Sequence, residues 1–457
     1  MNPGAGTAAP RTEFGAIARH AGTVLAGQLA VMAFGVTDTL VAGRHSEGAL
    51  AALSVGSAIF VSVYVALMGV VQALLPVWAE QHGARRFAEI GASVRQALYV
   101  CIATAVLGMA LLLSPGPLLR WAEVPEALRG DVAAYLRVLA AALPPALLFR
   151  LYGTLNQSLG KPQLVTWLQV GALGLKVPLT VWFALGGAGL PAQGAVGCAW
   201  ATLAVNLLLC LVGVRLVRDG AAYAPYRIWR PLERPDPAVL RAFARLGIPA
   251  GLSILVEVTS FTLMALFVAR QGTTASAAHQ VAANVAAVLY MVPLSLAIAT
   301  SARTSRWLGA GDAARARAAV GTGLRMAAAT AALLAGAVFL GRGAIAGAYS
   351  ANPATAATAA GLLAWVAAYH LADTVQCVSV FVLRCYRITV SALLVYGAML
   401  WGAGLGGGYL VAYRGLGPFG PLPEPATFWK SSALALAVTA AVLLALVRRA
   451  VRRPAAG

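Results

Sequence analysis

Charge is scarce in this sequence. Lys, Arg, Asp and Glu make up 11% of its 457 residues, where a soluble globular chain carries about a quarter. That deficit excludes a soluble protein of ordinary composition. With 60% apolar residues it also excludes disorder, which needs dense charge and little hydrophobicity. Histidine and cysteine number five each. No two cysteines stand as CxxC, so neither a metal site nor a disulfide framework is supported. HExxH, GxSxG and a Walker-type loop are all missing, which leaves metalloprotease, hydrolase and ATP-driven chemistry without their groups. Gly402-Ala-Gly404-Leu-Gly-Gly407 fits the GxGxxG spacing, yet no strand–turn–helix unit surrounds it. Small residues there serve close helix packing instead. A coiled coil is excluded by 48 Gly and 23 Pro spread along the chain.

What the sequence has in abundance is long apolar runs, and the mean hydropathy is +0.78. Runs of spanning length lie at roughly 20–43, 50–77, 92–115, 131–153, 162–186 and 192–215. A second set lies at roughly 242–268, 274–300, 319–347, 357–383, 388–412 and 428–448. The fold class is therefore an all-α polytopic membrane protein of twelve spans. The polar N-terminal stretch lacks a small-residue cleavage site after the first run, so that run reads as a retained helix. Between the two sets, Arg218–Arg241 carries Pro225, Pro231, Pro235 and Pro237 and reads as a linker. The domain division is thus 1–217 (spans 1–6), 218–241 (a cytoplasmic linker) and 242–457 (spans 7–12).

The net charge of +19 belongs to short Lys/Arg clusters between the runs, not to a basic surface interleaved with aromatics. A nucleic-acid partner is excluded on that ground. With both termini placed in the cytoplasm, 25 of the 34 Lys and Arg fall inside and 8 outside, with Lys176 within a span. That bias fixes the orientation by the positive-inside rule. The halves echo one another: Val41-Ala-Gly-Arg44 against Val268-Ala-Arg270, Gly83-Ala-Arg-Arg86 against Gly309-Ala-Gly-Asp, and Arg95 against Arg325. An even number of spans per half makes this a parallel repeat, giving two six-helix lobes related by a pseudo-two-fold axis along the membrane normal, as in many secondary transporters.

Three acids sit deep in spans: Asp38, Glu257 and Asp373. An intramembrane charge costs a few kcal/mol or more, so such residues usually face a polar cavity and act there. A carboxylate taken out of water seeks a proton or a cation. Asp373 is flanked at helical spacing by Tyr369, His370, Gln376 and Cys377, a polar stripe on one face. His370 either shares a proton with Asp373 or is an ordinary interior histidine. The structural alternative for all three acids is a carboxyl that merely holds helices together.

Ala277-Ala-His279-Gln280-Val-Ala-Ala-Asn284, Tyr290-Met-Val-Pro293-Leu-Ser295, Ser301-Ala-Arg303 and Leu308-Gly309 follow one another in a single span and its exit. With Gly35-Val-Thr-Asp38-Thr, Leu255-Val-Glu257-Val-Thr259 and Ala372-Asp373-Thr-Val-Gln376, their order and spacing resemble the multidrug and toxic compound extrusion (MATE) family, NorM branch. Leu383-Arg384-Cys385-Tyr386-Arg387 is similar to the exit of that branch's span 10, which usually has Gly in place of Cys385. The resemblance implies that Glu257 and Asp373, faced by Tyr290, form the cation site of the C-terminal lobe and hold Na⁺ there if sodium is the coupling ion. It implies that Asp38 is the N-terminal lobe carboxylate, with Thr202 near it. Gln280 and Asn284 either line the cleft or bond between helices. Lys176, in Leu173-Gly-Leu-Lys176-Val-Pro178, stands where the family usually has Asn. Its ammonium either pairs with Asp38, which puts a sodium site there in doubt, or snorkels to the interface.

The implied function is secondary active multidrug efflux: export of cationic, apolar compounds by antiport against Na⁺ or H⁺, with a central cleft open alternately to either face. No cofactor beyond the coupling ion is called for, and the chain is expected as a monomer in the cell (inner) membrane. Asp38, Glu257, Asp373 and Tyr290 are the candidate coupling and substrate residues. Lys176, Thr202, Gln280, Asn284, His370 and Gln376 are candidate modulators. The alternatives are a lipid-linked oligosaccharide flippase of the same superfamily, whose cavity should be cationic, and a membrane-embedded enzyme, for which no nucleophile–base or metal constellation is present.

Overall fold

A computed structural model describes residues 10–121, 124–187, 189–415 and 420–452. The polar N-terminal stretch read from the sequence lies, over 1–9, outside the described residues, as do 453–457 at the other end. Among the described residues twelve helices are long and apolar enough to cross a membrane. They are α1 (Glu13–His45), α2 (Glu47–Gly83), α3 (Phe87–Leu113), α4 (Glu126–Ser158), α5 (Pro162–Leu185) and α6 (Gly194–Asp219). The remaining six are α7 (Pro237–Ala269), α8 (Thr273–Gly309), α9 (Ala313–Tyr349), α10 (Pro353–Cys385), α11 (Val390–Tyr413) and α12 (Pro425–Arg452). Helices are the natural outcome, because a backbone among apolar side chains and lipid must satisfy its own hydrogen bonds.

Local signals set where the helices begin and bend. The Ser46 side chain accepts from Ala49 N at 3.0 Å and starts α2. Asp312 accepts from Arg315 N at 2.8 Å and starts α9. Asn352 accepts from Ala354 N at 2.9 Å, with Pro353 in the first turn, and starts α10. Helix α2 breaks after Gln72 and resumes at Leu75 with Pro76 in its first turn, where proline's missing N–H does no harm. Helix α11 is π-helical over Gly397–Gly406. Two of its glycines lie close against α12: a Cβ at Gly404 would come 3.3 Å from that of Ala435, and one at Gly408 would come 3.0 Å from Phe428.

The described residues form two compact units, one within 23–251 and one of residues 10–22 with those of 252–452. Within the first, α4 is buried along most of its length and packs against α2, α3 and α6. Leu136, Leu139, Leu143 and Leu147 of α4 form the middle of that core. Within the second, α10 takes the same part and packs against α8, α9 and α12.

The repeat seen in the sequence is also written in the backbone. The starts of α3 and α9, residues 87 and 313, lie 226 apart, and those of α4 and α10, residues 126 and 353, lie 227 apart. Left-handed residues recur at the same offsets: Arg85 (φ 59°) and Gly311 (φ 73°) follow α2 and α8, while Gly160 (φ 73°) and Arg387 (φ 61°) follow α4 and α10. A non-glycine residue in that region is uncommon. Here each of the two turns carries it once, on an arginine.

The connection after α6 is not a loose tether. It forms a short 3₁₀ turn at Ala221–Tyr226 and then runs across the end of α3. Arg95 donates to Arg227 O at 2.8 Å and to Glu233 at 2.5 Å, Tyr99 donates to Glu233 O at 2.7 Å, and Gln96 donates to Arg234 O at 2.9 Å. Tyr223 donates to Asn156 at 2.6 Å on α4. Gly91 admits the chain: a Cβ there would lie 2.0 Å from Tyr226 O.

Candidate functional site

Residue Asp38, on α1, is met by two pairs of side chains, each one turn apart on its helix. Lys176 and Thr180 come from α5, and Cys198 and Thr202 from α6. The Lys176 ammonium lies 2.7 Å from Asp38 Oδ1 and donates to Thr202 Oγ1 at 2.7 Å and to Cys198 O at 3.2 Å. Thr180 donates to Asp38 Oδ1 at 3.2 Å. An ammonium has three N–H donors and no acceptor. Three acceptors surround this one, so the geometry is that of a fully satisfied –NH₃⁺ beside a carboxylate. Only 1% of the Lys176 side chain and 12% of that of Asp38 are exposed. The lysine does not snorkel.

In the second unit the carboxyls are arranged otherwise. Asp373 is buried, and Oδ1 accepts from Gln376 Nε2 at 2.9 Å, one turn further along α10. Gln376 Oε1 in turn accepts from the hydroxyl of Tyr396 on α11. Glu257, on α7, lies within electrostatic reach of Asp373, and Tyr290, on α8, lies within reach of both. Arg384, three turns beyond Asp373 on α10, is buried and within reach of Glu257, with its guanidinium 4.3 Å from the Phe381 ring centre. Its Nε and Nη1 have no hydrogen-bond partner. Two acids, the three phenols of Tyr290, Tyr369 and Tyr396, and one cation thus lie close together in buried, largely apolar protein.

Around this group lies an aromatic wall. Tyr369, Phe261 and Trp429 meet edge to face at 5.8–6.1 Å, and Trp429 Nε1 donates to His279 Nδ1 at 3.2 Å. Beside it, Ser260, Phe261, Met264, Tyr369, Leu400 and Ser432 line a void of about 20 Å³, about the size of one water. His370 is buried, and its Nε2 has no hydrogen-bond partner; the bond to Asp373 comes from Gln376. Gln280 donates to Asn284 at 3.2 Å within α8, both side chains exposed. Among the described residues no three His, Cys, Asp or Glu converge as a metal-binding group.

Sequence reasoning brought Asp38, Lys176 and Thr202 together, and Glu257, Asp373 and Tyr290 together. It passed over Thr180, Cys198, Tyr396 and Arg384. A signal existed for three of them: Thr180 is four residues from Lys176, Cys198 is four from Thr202, and Arg384 is eleven from Asp373, all returning to the same helix face. Tyr396 had none, because a tyrosine in a span is ordinary.

The family model described as MatE matches residues 24–182 and 249–410. A relative named "Probable multidrug resistance protein NorM" from Aromatoleum aromaticum is 37% identical over 452 residues, 98% of this chain and 97% of that protein. One of the same name from Chromobacterium violaceum is 34% identical over 436 residues, 94% of this chain and 92% of that protein. Among solved structures, the eukaryotic MATE transporter AtDTX14 superposes with a TM-score of 0.84 at 18% identity, covering 97% of this chain and 98% of that one. A MATE in the straight conformation gives 0.85 at 17% identity, covering 96% of each chain. At such identities the structures speak for the fold.

Proposed function

The chain belongs to the MatE family, and from that membership we propose that it is a secondary active multidrug efflux transporter, exporting cationic apolar compounds by Na⁺ or H⁺ antiport through alternating access. It is a multi-pass membrane protein and a transporter, not an enzyme. The proposal extends to its setting: the cell inner membrane, both termini cytoplasmic, a monomer, with 1–217 and 242–457 as the working lobes and 218–241 as the linker. Small-molecule cations and the bilayer are its partners, and the coupling ion is its only inorganic one.

The observation that carries this reading is the pair Glu257 and Asp373, held within each other's field in the apolar second unit. Two carboxylates so placed repel unless a proton or a cation sits with them. The oxygen-rich surroundings, with Tyr290 and Gln376 at hand, suit either a proton or a hard cation. A bulky cation offered to the same carboxylates competes with the ion, which is the essence of antiport. A cationic substrate would also find the rings of Tyr369, Phe261 and Trp429, each such contact worth about 0.5–2 kcal/mol.

In the first unit the carboxylate already has its cation. Lys176 occupies the position that an exchangeable ion would take at Asp38, so coupling rests on Glu257 and Asp373. The test is efflux from proteoliposomes loaded with a fluorescent cationic compound, under an imposed Na⁺ or H⁺ gradient, one at a time. Efflux driven by one gradient supports the reading. Efflux indifferent to both gradients overturns antiport, and equal transport of anionic analogues overturns the cationic substrate class.

A further inference from the structure

Beneath residues 228–232 of the connecting segment, the unit 23–251 holds a cavity of about 280 Å³. It is walled by α3, α4 and α6, chiefly by Leu98, Leu148, Leu151, Leu155, Val214 and Val217. Gly213 lines it, and a Cβ there would sit 3.4 Å from the Tyr152 ring and 3.7 Å from that of Phe149, so a larger side chain at 213 competes for this space. The transport residues Asp38, Glu257 and Asp373 do not line it.

Its polar lining is cationic. Two arginines, Arg95 and Arg230, contribute to the wall. Arg95 is buried and bound to Glu233 and to backbone carbonyls, so its charge is already answered. Arg230 is exposed and forms no ion pair with a described residue. Beside it Trp229 and Leu232 are also exposed, and the Arg218 guanidinium lies 5.7 Å from the centre of the Trp229 ring. An apolar slot with an unanswered guanidinium at its wall, flanked by an exposed tryptophan, has the chemistry of an amphiphile site. Exposed tryptophans close to the ends of spans are a common mark of the membrane–water interface.

We propose that this cavity binds an anionic phospholipid of the arginine-rich face of the membrane, with one acyl chain between α3, α4 and α6 and the phosphate on Arg230. The positive bias of the connections places this face in the cytoplasm, and the cytoplasmic leaflet carries the anionic lipids. A transported cation is the wrong occupant, because the free guanidinium repels it. The segment is held to α3 on both sides of 228–232, at Arg227 by Arg95 and at Glu233 and Arg234 by Tyr99 and Gln96.

The test uses the full chain in detergent, with phosphatidylglycerol and phosphatidylcholine as probes and native mass spectrometry counting retained lipid. The parent protein is expected to retain phosphatidylglycerol over phosphatidylcholine, and Arg230→Gln should cut that preference by about fivefold, the effect of one interfacial charge. Gly213→Leu is expected to lower retention of both lipids. Should that variant fold poorly, Val214→Trp fills the slot from its half-open wall and must give the same loss. Equal retention of the two lipids by the parent, or an unchanged preference in Arg230→Gln, overturns the proposal. So does displacement of the lipid by a transported cation, which would assign the cavity to the transport path.

Discussion

At the scale of the residue, what separates the three intramembrane acids is their company. Asp38 has a lysine at 2.7 Å, whereas Asp373 has an amide at 2.9 Å and a second carboxyl within its field. Glu257→Gln and Asp373→Asn are therefore each expected to reduce gradient-driven efflux to the protein-free background. Both isosteres are cheaper to bury than the acid they replace, so size-exclusion profiles and yields should stay at parental levels. Parental efflux from either variant would remove that residue from the coupling site. A second prediction separates the paired acid from these two. Lys176→Met strands a buried carboxylate and should cost about 3–5 kcal/mol, and adding Asp38→Asn should restore most of that loss. Thermal unfolding of the two variants checks it, and equal unfolding temperatures would show that the pair carries no coupling energy. The acids and Lys176 were legible because a charge inside an apolar run stands out by itself. Arg384 shares the helix face of Asp373, yet that signal is masked, because an arginine near the end of a run looks like an interfacial residue until α10 is seen to be buried to its last turn.

At the scale of the element, the twelve helices were plain in the sequence for one physical reason: a span needs about 20 apolar residues and cannot hide them. The connecting segment was harder. Four prolines and a dense run of charge have the composition of a loose linker, and nothing local reveals that Arg95, Gln96 and Tyr99 bind it from more than 130 residues away. Gly91 is where the two meet, and it is where a test bears. Gly91→Ala places a methyl group 2.0 Å from the Tyr226 carbonyl, a backbone atom that cannot swing aside. The segment must shift, and overpacking of this kind costs about 1–3 kcal/mol. A fall of several degrees in the unfolding midpoint is expected. Gly171→Ala on α5 is the control, because no atom lies within 4 Å of the added methyl and a helix gains about 0.5–1 kcal/mol from alanine over glycine. If both variants unfold with the parent, the clamp contributes nothing to stability.

At the scale of the whole molecule, the two units repeat each other in backbone and differ in chemistry. Left-handed residues recur 226 and 227 positions apart, and Tyr64 and Tyr290 stand 226 apart on α2 and α8. The repeat was readable because helix lengths and turn positions leave their mark along the chain. The chemical difference between the units was readable only as a choice between two fates for one lysine, since whether an ammonium snorkels or pairs depends on depth and on acceptors that α6 supplies from elsewhere. The structure shows the acceptors: a carboxylate, a hydroxyl and a carbonyl, one for each N–H. A side chain so held is a cation that cannot leave, and a carboxylate so neutralised has no reason to take up another. Lys176→Asn removes the tethered charge while leaving Thr180, Thr202 and the Cys198 carbonyl as oxygen donors beside Asp38. The opened site is then free to take a proton or a sodium ion. In a Glu257→Gln background, which silences the second unit, the expected gain is one bound cation per chain, read as radioactive sodium retained or as protons taken up on titration. The Glu257→Gln protein with Lys176 intact should lack that additional cation. Sodium binding in that protein that disappears with Asp38→Asn would mean that Lys176 yields its place to a free ion, and that both units take part in coupling.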